Sequence, residues 1–290
     1  MKNSNEKRLD NIFAFLCELG KFYEKYVLVQ PWDSKPWDKS LLQQDWRWGL
    51  EFFISRVYYQ GRSDELSYIF YERLSTHLEQ VFKNKGALKG LIKKEKLPKQ
   101  DLWWKTNSAQ EFITYFGLNN SMGKPRDLEM TVDILRYLSN INTKYYYNIV
   151  PFSIDMIRGN KIKELRAELI GIRGVGEKTS AFFLRDLAFL FNLKINPEDY
   201  LSLQPVDTWV SQVRRFMDSE NLTSLSDAEW FIKMAGKKYN PALLNAGAWY
   251  LGKHSFNMVF ALLEYCNLEK KHINSVLKIV KQKQEPEVDG

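Results

Sequence analysis

The chain has 290 residues, of which 44% are hydrophobic, 14% aromatic and 27% charged. This composition is typical of a folded globular protein and excludes a disordered or fibrous chain. Its 42 Lys and Arg residues exceed its 35 Asp and Glu residues by seven, a balance that favours a polyanionic partner. Two cysteines, Cys17 and Cys266, are too few for a disulfide scaffold or for a four-ligand metal site.

Apolar residues recur at helical spacing along most of the chain. The first pattern covers residues 9–27, and two more run from Leu50 to Tyr58 and from Leu66 to Leu74, with a break at Gly61 between them. Further patterns cover residues 109–116, 127–140, 161–170, 178–191, 208–217, 227–235, 242–251 and 255–266. Period-two alternation is scarce. The sequence therefore predicts an all-α fold with about ten short helices.

Positive charge is concentrated in residues 83–105, which contain eight lysines against Glu95 and Asp101. Such a segment is either a solvated surface or a face that contacts nucleic acid. The adjoining Trp103-Trp104 pair favours a core anchor over a base-stacking platform. No segment resembles a signal peptide, and no apolar run reaches the roughly 18 residues of a membrane span. We expect a cytoplasmic, nucleoid-associated or nuclear protein that is not secreted and has reduced thiols.

Two helical patterns meet at the hairpin Ile172-Arg173-Gly174-Val175-Gly176. Glycines at these positions allow positive φ and close approach of another chain. The turn would present backbone N–H groups and the positive end of the second helix, a combination that binds a phosphate without contacting a base. The candidate DNA-backbone contacts are Arg173, Gly174, Val175 and Gly176.

This segment resembles a helix-hairpin-helix motif, although an ordinary tight turn or a non-catalytic DNA grip has the same pattern. Lys178 follows Gly176 by two residues, and Asp207, in the sequence Pro-Val-Asp-Thr, lies 29 residues after Lys178. Together these features resemble the catalytic core of the helix-hairpin-helix DNA glycosylase superfamily. The resemblance is carried by roughly forty residues and is nearest in pattern to archaeal 8-oxoguanine glycosylases and AP lyases.

The resemblance implies two helical lobes with a cleft between them. Residues 44–186 would form the lobe with the hairpin, residues 187–290 would form the C-terminal lobe, and residues 1–43 would pack with the latter. The partner would be double-stranded DNA with a damaged base, and we expect a monomer with no membrane contact. No cofactor or metal is required, although a monovalent cation at the hairpin carbonyls is compatible with the resemblance.

Lys178 and Asp207 are the candidate catalytic residues. A deprotonated lysine amine attacks C1′ of the sugar and forms a Schiff base, which permits β-elimination. A nearby carboxylate stabilises positive charge on the sugar as the base departs. Lys178 as a simple phosphate contact and Asp207 as a helix N-cap are the alternatives. A monofunctional glycosylase and a DNA-binding protein without catalytic activity remain rival functions.

Base recognition is assigned to three further residues by the resemblance. An enzyme of this class must extrude the nucleotide, and Gln60 matches the position of a wedge that fills the gap. A polar turn residue is the alternative for Gln60. Asn245 and Trp249 lie four residues apart on one helical face, and would read the edge and the ring face of the base. Core packing is the alternative for Trp249.

The sequence departs from its relatives at two pocket positions. Asn245 stands where the archaeal pattern has an acidic residue, and Trp209 stands where oxidised-pyrimidine enzymes have His. The 29-residue gap and the missing C-terminal four-cysteine cluster favour an 8-oxoguanine enzyme over oxidised-pyrimidine enzymes. Neither feature establishes which base is excised.

Overall fold

The computed structural model describes residues 4–28, 37–85, 109–141, 143–217 and 225–265. Every regular element within these ranges is helical, so the predicted all-α class is confirmed. The N-terminal part contains α1 (Ser4–Phe22), a π-helical turn (Tyr23–Val27), α2 (Lys39–Gln44), α3 (Trp46–Val57) and α4 (Asp64–Lys85). None of the described helices has both the length and the apolar character that crossing a bilayer requires.

The remaining helices follow after residue 108. They are α5 (Ala109–Phe116), α6 (Pro125–Asn140), α7 (Ile149–Arg158), α8 (Ile162–Ile170), α9 (Glu177–Leu190), α10 (Thr208–Met217), α11 (Asp227–Ala235) and α12 (Pro241–Tyr265). Short 3-10 helices cover Thr143–Tyr145 and Pro197–Leu203. The two helices predicted over 242–251 and 255–266 are one continuous helix. The spacing of apolar residues did not predict α2 and α7.

Local side-chain caps set several of the helix starts. Asp38 accepts the backbone N–H groups of Ser40 and Leu41 at the start of α2. Asn148 accepts the N–H of Val150 at the start of α7 and also donates to the carbonyl of Leu42, at 2.9 Å. The cap of α7 therefore also joins α7 to α2, which a reading of local sequence does not reveal.

Buried apolar side chains form two clusters. The larger core is built by α2 to α9 with the π-helical turn, and its most enclosed members include Phe52, Phe53 and Phe183. The smaller core joins α1 to α10, α11 and α12 through residues such as Leu16 and Phe231. The N-terminal helix thus packs with the C-terminal helices, and α12 contributes to both cores.

The contact between α1 and α12 depends on two glycines. A Cβ added at Gly20 would overlap the carbonyl oxygen of Leu243, and one added at Gly247 would overlap that of Leu16. Because the overlapping atoms belong to the backbone, no side-chain rotation relieves the clash. The two helices therefore approach each other at backbone distance, and this contact sets the position of α12.

We predict that Gly247→Ala lowers the free energy of unfolding by about 2 kcal/mol or more, because the helices must separate to admit the methyl group. Urea unfolding measures the change. Gly176→Ala is the control, since a Cβ there meets nothing within 4 Å, and its unfolding free energy should change by less than about 0.5 kcal/mol. A Gly247→Ala protein as stable as wild type would contradict the packing described.

Candidate functional site

A cavity between α3, α4, α9 and α12 brings together three of the residues predicted from sequence, Lys178, Asp207 and Trp249. The empty space within it is about 980 Å³, including the part open to solvent. Aromatic rings and charged groups alternate around its wall. The other lining residues are Tyr23, Val27, Trp37, Ser55, Arg56, Tyr59, Gly61, Arg62, Asp64, Tyr68, Tyr71, Phe182, Arg185, Pro205 and Lys253.

Lys178 lies in the first turn of α9, immediately after the hairpin. Its side chain is half-buried, and among the described residues it has no hydrogen-bond or ion-pair partner. It lines both the cavity and a shallow depression on the hairpin surface, so the two are continuous. An amine in this position reaches a group inside the cavity without first breaking an ion pair.

Asp207 also lines the cavity and lies just before α10. Its Oδ1 accepts the backbone N–H of Val210 at 3.0 Å, so its role as the N-cap of α10 is confirmed. Because Asp207 is half-buried and also borders the cavity, capping is compatible with a second role toward a bound group.

Asp186 holds two arginines beneath the cavity. Its Oδ1 accepts hydrogen bonds from Nε and Nη2 of Arg185, at 3.2 and 3.0 Å, and its Oδ2 accepts one from the Tyr23 hydroxyl at 2.7 Å. Arg56 Nε lies 2.7 Å from Oδ2 but is not aligned for a hydrogen bond. One buried carboxylate therefore faces two buried guanidinium groups, which leaves an excess of one positive charge at this end of the cavity.

Two tyrosine hydroxyls at the cavity stay protonated over the physiological pH range. Burial, reinforced by the neighbouring Asp186 carboxylate, raises the pKa of Tyr23 well above its ordinary value. Burial also raises the pKa of Tyr59 to about 12. Both phenols are therefore hydrogen-bond donors at neutral pH, and neither adds negative charge to the cavity.

Asn245 does not line the cavity, and the prediction that it reads the base edge directly needs correction. Its side chain is fully buried. Its Oδ1 accepts from Nη1 of Arg185 at 2.9 Å, and its Nδ2 donates to the carbonyl of Pro205 at 3.0 Å. Because both ends of the amide are engaged inside the protein, Asn245 positions Arg185 and the segment that leads to Asp207.

Trp249 lines the cavity and packs against both hydrophobic cores. Its ring centroid lies 5.6 Å from that of Tyr23 and 6.5 Å from that of Phe182. Lys253 lies one turn later with its Nζ 4.9 Å from the Trp249 ring, and pairs with Asp64 on α4. The predicted aromatic position and the alternative of core packing both apply to Trp249, since it packs against the two cores and lines the cavity.

The hairpin differs from expectation in its backbone. Gly174 has φ of +84°, and a Cβ there would lie 3.1 Å from Cβ of Met130, so this glycine is required by conformation and by packing. Gly176 instead has φ of −104° and open space around it, so the positive φ expected there is absent. Neither backbone conformation nor packing within the described residues requires a glycine at position 176.

The predicted phosphate contacts at the hairpin shift toward the start of α9. The Val175 side chain is buried and its N–H donates to the carbonyl of Ile172, so Val175 has no free donor. The first intrahelical bond of α9 runs from Ser180 to Gly176, which leaves the N–H groups of residues 177–179 at the exposed helix end. Arg173 is exposed and pairs with Glu129 at 3.0 Å.

Gln60 is tied to the hairpin. Its Nε2 donates to the carbonyl oxygens of Gly174, at 2.6 Å, and of Val57, at 3.0 Å. In this arrangement the amide braces the turn against α3 instead of projecting as a wedge. The Gly174 carbonyl, one of the hairpin carbonyls proposed for a monovalent cation, therefore already accepts one hydrogen bond.

The sequence analysis did not predict that charged and aromatic residues of α3 and α9 lie together at the cavity. Lys178, Phe182 and Arg185 are spaced at i, i+4 and i+7 on α9. Phe52 and Arg56 are four residues apart on α3, and Tyr59 follows shortly after that helix ends. The helical spacing was visible in the sequence, but which faces meet was not. No cluster of three or more His, Cys, Asp or Glu side chains suited to a metal occurs in the described ranges.

Comparisons of the chain with protein-family models, with curated proteins and with solved structures give no match. The lysine-rich segment 83–105 and the Trp103-Trp104 pair lie outside the described residues from position 86 onward, as does Cys266. The described residues that bear on function are those of the cavity and the hairpin, which share Lys178.

We predict that Asp186→Asn lowers the free energy of unfolding by about 3 to 5 kcal/mol, because two buried guanidinium groups lose the carboxylate that pairs with both of them. Urea unfolding of the variant measures this loss. Asp155→Asn is the matched control, since Asp155 is exposed and its carboxylate only accepts a hydrogen bond from Tyr145. A loss for Asp186→Asn no larger than that of the control would show that the network does not support the fold.

Proposed function

We propose that this protein is a bifunctional DNA repair enzyme that extrudes and excises a damaged base and then nicks the strand. The observation that carries the proposal is that Lys178, without an ion-pair partner among the described residues, faces Asp207 and Trp249 in one cavity and also borders the hairpin surface. The best candidate lesion is 8-oxoguanine, and the enzyme would act in the nucleoid or nucleus.

The hairpin surface suits the DNA backbone. The exposed start of α9 offers N–H groups and the positive end of the helix macrodipole to a phosphate. Open space at Gly176 admits a phosphate close to the backbone. Such contacts bind any sequence and leave discrimination to the cavity. A nucleotide beside the bound phosphate would have to leave the stack to reach Lys178.

Two residues at the cavity act directly on the sugar in the proposed reaction. The deprotonated amine of Lys178 attacks C1′, the bond from C1′ to the base breaks, and the base leaves with the electron pair and takes up the proton that the amine loses. Asp207 stabilises positive charge on the sugar while that bond breaks. The bond from C1′ to the ring oxygen then breaks, this oxygen keeps the electron pair and takes up a proton, and a protonated imine forms between C1′ and Nζ.

The imine then permits strand cleavage. A proton is lost from C2′, the bond from C3′ to oxygen breaks, and its electron pair leaves with the phosphate. Water finally hydrolyses the imine and regenerates the Lys178 amine. The aromatic wall around Trp249 and Phe182 offers stacking surfaces to an extruded base.

Reduction with borohydride tests the lysine. A duplex that carries a damaged base should become covalently joined to the wild-type protein, and Lys178→Gln should reduce the adduct below about 1% of wild type. Lys163→Gln is the control, because Lys163 is exposed on α8 and pairs only with Asp199 at 3.4 Å. Base release without an adduct from wild type would identify a monofunctional glycosylase, and binding with neither product would leave only a DNA grip.

We predict that Asp207→Asn keeps DNA binding within about twofold and slows base excision by about 10²- to 10³-fold. Asparagine caps helices as well as aspartate, so the variant retains the bond to Val210 and isolates the loss of charge. Single-turnover excision from a panel of damaged duplexes measures the rate. Unchanged turnover would remove Asp207 from the mechanism.

A further inference from the structure

Arg56 is a buried cation of the cavity wall whose donors are mostly unused. It lies in the last turn of α3, is only 6% exposed, and lines the cavity. A guanidinium group has five N–H donors, yet the one aligned hydrogen bond of Arg56 within the described ranges runs from Nη1 to Oγ of Ser55, at 3.0 Å. A buried donor without an acceptor costs about 1 to 3 kcal/mol, so such a group is expected to meet an acceptor in function.

Arg185 provides the contrast. It is 1% exposed, and its donors reach two oxygens of the protein, Asp186 Oδ1 and Asn245 Oδ1. The two arginines flank Phe182, with their guanidinium carbons 5.5 and 5.1 Å from its ring centroid. Arg185 is therefore fixed by hydrogen bonds, whereas Arg56 is held by its ion pair with Asp186 and by aromatic rings, and its Nη atoms make one hydrogen bond among the described residues.

A second unused donor lies near Arg56. The Trp37 indole Nε1 is buried and has no acceptor among the described residues, and Trp37 lines the same cavity. Both Trp37 and Arg56 pack on Phe52, at 5.2 and 4.9 Å from its ring centroid. This end of the cavity thus offers N–H groups of Trp37 and of the Arg56 Nη atoms that have no acceptor among the described residues. It complements a ligand edge that carries oxygen acceptors.

The positive charge at this end of the cavity also favours a ligand that is not cationic. Among the described residues Asp186 is the carboxylate that pairs with both Arg56 and Arg185, while Glu51 accepts a hydrogen bond from Tyr71 on the neighbouring wall. Elsewhere on the wall Arg62 pairs with Asp127, and Lys253 pairs with Asp64. The unbalanced positive charge therefore lies beside Phe182, where it opposes entry of a cationic ring.

We infer that Arg56 is a specificity-determining residue that donates to a carbonyl oxygen on the extruded base, so that the site takes neutral, carbonyl-bearing bases and rejects N-alkylated purines that carry a positive charge. The inference rests on the proposed function and adds to it the residue that selects the substrate class. It assigns to Arg56 the direct contact that the sequence had assigned to Asn245.

Duplexes that contain two modified guanines and an abasic site distinguish base recognition from strand cleavage. 8-Oxoguanine and 7-methylguanine share the same carbonyl at C6, but 7-methylguanine in DNA carries a positive charge. A preformed abasic site has no base to read, so its cleavage reports on Lys178 chemistry alone. Single-turnover rates on three duplexes, each with one of these residues, therefore measure base recognition and strand cleavage independently.

Arg56→Met should slow excision of 8-oxoguanine by about 30-fold, the discrimination expected when a charged donor to a base edge is lost. It should leave cleavage of the abasic duplex within about twofold, and it should shift the ratio of 8-oxoguanine to 7-methylguanine excision toward 7-methylguanine. Arg56→Lys, which keeps the charge but not the planar fork, should retain rejection of 7-methylguanine and lose part of the 8-oxoguanine rate.

The variant is expected to fold, because Asp186 keeps Arg185 and Tyr23 as partners and no charge is left buried alone. Arg136→Met is the matched control, an exposed arginine of α6 that lies 3.8 Å from Asp133 and should leave all three rates unchanged. If Arg56→Met does not fold, the Arg56→Lys measurements decide the question.

Equal losses on the 8-oxoguanine and abasic duplexes would make Arg56 a structural residue and overturn the inference. Unchanged rates, or wild-type preference for 7-methylguanine, would also overturn it. A wild-type protein that cleaves abasic DNA but excises neither base retains Lys178 chemistry and refutes the assignment of substrate class. A wild type inactive on all three duplexes overturns the proposed function, and the inference falls with it.

Discussion

The carboxylate of Asp186 is the interaction on which the site depends. It binds Arg185 on its own helix, Arg56 on α3 and the Tyr23 hydroxyl from the π-helical turn. Through Arg185 the network continues to Asn245 on α12 and from there to the carbonyl of Pro205. Hydrogen bonds thus join four separate segments of the chain in a buried environment, and the ion pair of Arg56 adds α3 as a fifth. Removing the Asp186 carboxylate would leave buried charges without their partner.

This network also explains the chemistry of the cavity. Pro205 is two residues from Asp207, so the bond from Asn245 fixes the segment that carries one proposed catalytic group. Lys178 stands two turns before Arg185 on α9, so the same network orients the helix that carries the other. Because the Asp186 carboxylate pairs with two arginines, the buried network keeps a net positive charge beside the cavity.

The hairpin is coupled to the cavity rather than being a separate module. Gln60 joins the end of α3 to the Gly174 carbonyl, and Arg56 lies one turn before Gln60 on the same segment. Lys178 belongs to both surfaces. A phosphate bound at the start of α9 would therefore sit at a fixed distance from the cavity, as an enzyme acting on one nucleotide of a long polymer requires.

Helical periodicity, glycine conformation and residue chemistry are local properties, so the sequence alone predicts the helical class, most helix positions, the hairpin and the candidate pair Lys178 and Asp207. It did not predict the φ of Gly176, the hydrogen bond of the Val175 N–H within the turn, or the continuity of α12. The burial of Asn245 against Arg185 and the position of Arg56 at the cavity are visible in the folded structure alone. Those outcomes follow from which helix faces pack together, a property set by contacts between residues far apart in the chain.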